Sequence, residues 1–149
     1  MKYCEKIINN FFGVHMELGE IDIKVGHGIT CFFIVEHTED SVFIEKQARQ
    51  LLVARCKEFV FYGKHKSKWN TGVELEDIKI KPKLTEECAV FTSSCETLED
   101  FVDKIYWRVS ERTFVPHDYY LIYDDRHIYE KVIATLKNGK GESCYFIHL

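Results

Sequence analysis

Proline is scarce. Two prolines in 149 residues exclude a Pro-rich linker and leave little to interrupt regular elements. Long apolar runs are missing as well. None exceeds five residues (Cys31–Val35), far short of the roughly 20 that carry a helix across a bilayer. The start, Met1-Lys2-Tyr3-Cys4-Glu5-Lys6, is charged, and no small-residue cleavage site follows an apolar stretch. A secretory signal and a membrane partner are therefore not expected, and the chain reads as cytoplasmic. No C-x-x-C pair occurs among the six cysteines, Cys4, Cys31, Cys56, Cys88, Cys95 and Cys144. In a cytoplasmic chain such scattered thiols read as small buried hydrophobes. Neither G-x-G-x-x-G nor G-x-x-x-x-G-K-[ST] is present, which removes the common phosphate cradles. An excess of positive charge is also lacking. A net charge of −4 argues against a nucleic-acid partner, despite a local basic run at Lys64, Lys66 and Lys68.

What is present is a soluble globular composition, 46% hydrophobic and 30% charged, with 14% aromatics. A chain of this length is expected to form one domain, 1–149, that buries roughly 70% of its unfolded surface. Cys4, Ile7, Ile8, Phe11 and Phe12 follow helical spacing and predict a helix over 2–12, stopped at Gly13. Val14, Met16 and Leu18, then Ile21, Ile23 and Val25, alternate at period two about Gly19-Glu20 and predict a β-hairpin. From residue 29 short apolar runs alternate with helical stripes. Strands are expected at Ile29–Val35, Phe59–Tyr62, 88–92 and Tyr119–Tyr123. Helices are expected after Asp40, with Ile44, Ala48, Leu51 and Leu52; after Thr97, with Leu98, Phe101, Val102, Ile105 and Val109; and after Asp125, with Ile128, Val132, Ile133 and Leu136. Residues 66–76 form a weaker helix interrupted by Gly72. Ile78-Lys79-Ile80 reads as an edge strand and Cys144–His148 as a final one. The fold class is α/β: a small three-layer domain with a mostly parallel sheet flanked by helices, in which 1–28 forms an N-terminal helix plus hairpin and 29–149 the alternating core.

In such a sheet all the polar strand ends fall on the carboxyl edge, where doubly wound proteins place their sites. Four junctions qualify: Glu36-His37-Thr38-Glu39-Asp40, Gly63-Lys64-His65-Lys66, Thr92-Ser93-Ser94-Cys95 and Asp124-Asp125-Arg126-His127. The Thr92-Ser93-Ser94 loop offers backbone N–H groups, but Glu96, Glu99 and Asp100 would repel an anion and are better read as acids favoured at a helix start. The same acids would raise the pKa of Cys95 by charge repulsion and speak against a reactive thiolate. The seven-residue spacing of Cys88 and Cys95 does not suit a shared zinc.

His37, His65 and His127 follow three different strands, and would form a transition-metal site only if strand order brought them together. The solvated or hydrogen-bonded alternative is favoured, and no metal or other cofactor is expected. Asp124-Asp125 is the sharpest pair. Such acids can hold Mg²⁺ with phosphates, although for Asp125 the helix-cap role is favoured, and a turn role explains Asp124 less well. Trp69 and Tyr62 offer an aromatic anchor for a partner, with packing on the core as the alternative for Trp69. The acidic edge favours a basic protein partner. The expected binding residues are thus Glu36, His37, Glu39, Trp69, Asp124, Asp125 and His127, with no catalytic or metal-ligating residue assigned. The leading expectation is a non-catalytic protein-binding module, such as a bacterial immunity protein or antitoxin against a basic toxin. The alternative is a small Rossmann-like metal- or nucleotide-dependent enzyme or ligand sensor using the same edge.

Overall fold

The uninterrupted apolar run from Ile29 becomes a strand whose six residues are all buried, as expected for a strand covered on both faces. In the computed structural model, which describes residues 4–8, 10–16, 28–80, 90–110 and 117–138, this run is β3 (Ile29–Ile34). It follows β1 (Cys4–Ile8) and β2 (Phe11–His15) and precedes α1 (Ser41–Val53), β4 (Cys56–Tyr62), α2 (Lys66–Ile80), β5 (Phe91–Ser94), α3 (Leu98–Ser110), β6 (Asp118–Tyr123) and α4 (Arg126–Asn138).

The six strands form one sheet in the order β1-β2-β6-β3-β4-β5. Only the β1–β2 pair is antiparallel. Alternation along the strands divides the core in two. Cys31, Phe33, Phe59 and Phe61 meet Ile44, Ala48, Leu51 and Leu52 of α1 with Trp69 and Val73 of α2. Phe32, Ile34, Val60, Leu121 and Tyr123 meet Phe101, Val102, Ile105 and Val109 of α3 with Tyr129, Val132 and Leu136 of α4. The three-layer α/β architecture expected from the sequence is what forms.

Three local expectations need correction. The helix over 2–12 does not form: the same residues make β1 and β2, so the N-terminal hairpin lies there. The spacing of Cys4, Ile7, Ile8, Phe11 and Phe12 fits a helix, but pairing overrides it. Phe11 aligns with Tyr119 and Val14 with Ile122 in a parallel ladder, and Phe11 and Val14 are buried on opposite faces. The hairpin expected at Gly19-Glu20 and the strand at Cys144–His148 lie outside the described residues.

Second, Ile78-Lys79-Ile80 is the last turn of α2, not an edge strand. The Lys79 ammonium reaches back one turn to the buried carboxylate of Glu76 at 3.1 Å, a spacing only a helix supplies. Gly72 is tolerated mid-helix because α1 crosses closely: a Cβ there would lie 2.7 Å from Ile44 Cγ2.

Third, Thr92-Ser93-Ser94 belongs to β5 and is no loop. Polar residues suit this rim strand, where Asn70 donates to Ser94 Oγ and Thr92 donates to the Glu74 carboxylate.

Candidate functional site at the carboxyl edge

The chain leaves β3 toward β4 and β5 on one side and returns on the other as β6. The order therefore reverses between β3 and β6, and their carboxyl ends flank the crevice that doubly wound folds use for ligands. Asp124 stands at that point, directly after β6. Its backbone N–H donates to Ile34 O at 3.1 Å, which extends the ladder by one residue. Its carboxylate accepts the backbone N–H of Glu36 (2.9 Å), His37 (2.9 Å) and Thr38 (2.8 Å). Three successive N–H groups turned inward form an anion nest. The anion here is the protein's own side chain, and Asp124 is only 3% exposed.

The neighbouring junctions are tied in the same way. Glu36 lends its carboxylate to the N–H of Lys64 at 3.0 Å, which joins the loops after β3 and β4. His65 donates its backbone N–H to Val35 O, while its ring lies 3.7 Å from the Glu39 carboxylate. Gly63 makes this approach possible. Its φ is +122°, and a Cβ would fall 2.8 Å from Val35 O. Trp69 is wholly buried, with its indole Nε1 donating to Thr38 O at 2.9 Å. The surface-anchor reading of Trp69 is thereby corrected: the start of α2 docks against the sheet and takes the ring into the core.

Asp125 caps α4, accepting the N–H of Ile128 at 2.9 Å. Its second oxygen lies 2.9 Å from His37 Nε2. His127 is exposed on the first turn of α4, where its backbone N–H helps to hold the Asp125 carboxylate. The bond from Asp125 raises the His37 pKa, and the N–H of Ile128, followed by His37, lowers that of Asp125. The raised His37 value contributes stability that is complete below an ordinary histidine pKa of about 6.5 and lost as pH rises through the folded value. The lowered Asp125 value contributes stability present above about 3.9 and lost as pH falls through the folded value. The pair is at full strength between those limits. With the His37 side chain 57% exposed, its energetic weight is small. An NMR titration checks the pairing: Asp125→Asn should bring His37 down toward the ordinary value, and an unmoved titration would dissolve the pair.

No three or more His, Cys, Asp or Glu side chains among the described residues are grouped to hold a metal ion. His37 and His65 turn to different carboxylates, Asp125 and Glu39. Known protein families, curated proteins and solved structures offer no match to the chain.

Of the residues expected at the edge, Glu36, His37, Asp124 and Asp125 come together, Glu39 joins through His65, and Trp69 lies beneath them. What sequence reasoning missed is the backbone. The N–H groups of residues 36–38 and 64 are the main partners of the conspicuous acids, and side-chain type alone carries no signal for them. The acids that face water are a different set: Glu39 with 69% of its side chain exposed, Glu96 with 81%, and Asp40.

Proposed function

We propose that the chain is a non-catalytic protein-binding module that meets a basic partner through the acidic rim of its carboxyl edge. An immunity protein or antitoxin that covers a basic bacterial toxin in the cytoplasm is the form that suits it. The observation that carries this reading is the occupied nest. Asp124 takes the backbone N–H groups at the switch point and Glu36 spans the adjoining loops, so these donors are not offered to an anionic ligand. Around it stand Glu39, in a loose contact with His65 at 3.7 Å, Glu96, 3.5 Å from Lys66, and Asp40, which caps α1 by accepting the N–H of Val42 at 3.0 Å and is itself exposed. Such outward charge speeds encounter with a basic partner and favours its orientation. The four free thiols among the described residues fit a reducing compartment, and no described helix is long and apolar enough to cross a membrane.

The metal- or nucleotide-dependent alternative would draw on the same groups, and there the Asp124 carboxylate and the N–H donors of residues 36–38 already engage each other. Affinity purification from the source cell tests the choice. A stoichiometric basic protein should be retained, and Glu39→Lys with Glu96→Lys should weaken its capture by about tenfold or more, most strongly at low salt. Unaltered capture by that variant would move the interface off this edge. If no partner is retained and Mg²⁺ or a nucleotide raises the melting temperature, the alternative takes its place.

A further inference from the structure

The edge opposite the acidic rim carries a cleft of about 500 Å³, within the range of roughly 300–1,000 Å³ typical of small-molecule sites. The first residues of the parallel strands form its floor and α3 one wall. Its charge is the reverse of the chain's. Among the described residues, Lys57, Lys104 and Arg108 line it against a single carboxylate, Glu58, in a molecule whose net charge is −4. Lys104 and Arg108 are one helical turn apart, so they present side by side.

The groups in the cleft are already held. Glu58 takes the Nε and Nη2 edge of Arg108 at 2.9–3.2 Å, which sets the plane of the guanidinium. The Lys104 ammonium donates to Ser93 Oγ at 2.9 Å. An ammonium carries three donors and this bond engages one of them. Thr30, 3% exposed, places its hydroxyl 2.8 Å from His117 Nε2. A part-buried hydroxyl–imidazole pair, an oriented guanidinium and two lysines make a polar set suited to a planar or tetrahedral oxyanion. Apolar surface lies beside them. The Phe91 ring is 67% exposed, and Tyr119 lies against His117 with centroids 4.7 Å apart.

We propose that this cleft binds a small organic oxyanion, a phosphate or carboxylate carrying a planar apolar group, with the anion seated among Lys57, Lys104 and Arg108 and the body against Phe91. A nucleic-acid polymer would need a basic stripe longer than one cleft. This site lies outside the carboxyl-edge interface and stands or falls separately from it.

Amide NMR titrations with phenyl phosphate, benzoate and inorganic phosphate test it. One of the two aromatic anions should shift the amides of Ser93, Lys104 and Arg108 while those of Glu36, His37 and Thr38 stay in place, with a Kd of about 1 mM or tighter. Which of the two binds better assigns phosphate or carboxylate as the preferred head group. Lys104→Glu should weaken that binding at least tenfold. Because Lys104 packs on Ser93, the exposed Lys57→Glu serves as a second variant and should weaken it similarly. The proposal is overturned if none of the probes moves these amides, if both variants bind as the wild type does, or if inorganic phosphate binds as tightly as the better aromatic anion.

Discussion

Replacing Asp124 by alanine should lower the free energy of unfolding by about 3–4 kcal/mol, read from urea denaturation. The side chain accepts three backbone N–H groups at 2.8–2.9 Å in a site that is 3% exposed to solvent. Hydrogen bonds to a charged group contribute about 1.5–3 kcal/mol each, and less than additively when they share one acceptor. Removing the carboxylate also leaves three donors facing a cavity that water fills only in part. Asp124→Asn separates charge from shape. It keeps one acceptor oxygen but turns an amide N–H₂ toward N–H donors, and should cost about half as much. A neutral result for the asparagine variant would show that the nest does not require an anion. Alanine also vacates a site shaped for a carboxylate, so acetate or formate should restore part of the lost stability in Asp124→Ala and none in the wild type. Absence of that rescue would mean that the loop rearranges when the side chain is lost.

The prominence of Asp124 was legible, but its partners were not. An acid directly after a buried strand stands out by type and place, and the capping role of Asp125 is local, since it bonds three residues ahead. The partners of Asp124 lie 86 to 88 residues away on another loop, and only the adjacency of β3 and β6 brings them near. Strand order is a non-local property that no spacing within a strand reports.

The same division runs through the fold. Ile29–Ile34 was readable because burial on both faces removes all alternation, and α3 because Phe101, Val102, Ile105 and Val109 form one stripe on the core. Residues 4–15 were not, because apolar positions at intervals of three and four suit a helix as well as two short strands with faces in different layers. The choice was made by the open edge of β6, which accepts β2 as a parallel neighbour. α2 was read only weakly because its stability comes less from a clean stripe than from Trp69, Val73 and the Glu76 carboxylate, which Arg49 and Lys79 neutralise at 3.2 and 3.1 Å.

Trp69→Ala should be the other severe change, at about 3–5 kcal/mol with a fall in Tm on the order of 10 °C. The indole is wholly buried, with its centroid 5.2 Å from that of Phe33, 6.3 Å from Phe43 and 6.4 Å from Phe61, so truncation opens a void walled by rings that cannot collapse together. Trp69→Phe fills most of that volume but leaves Thr38 O without its 2.9 Å donor, and should cost about 1–2 kcal/mol. Fluorescence separates this from a general loosening. The chain has two tryptophans and Trp107 is 67% exposed, so Trp69→Phe should remove the blue-shifted part of the emission and leave a solvent-like spectrum. Thr38 is gripped from both sides, its N–H by Asp124 and its C=O by Trp69. The two restraints hold one short segment, so once either is gone the other has a loosened loop to hold. The double variant Asp124→Asn, Trp69→Phe should therefore lose less stability than the two single losses added, by about 0.5 kcal/mol or more. Strict additivity would mean that the core tryptophan and the buried aspartate stabilise separate parts of the molecule, and that the loop after β3 is not the element that joins the core to the carboxyl edge.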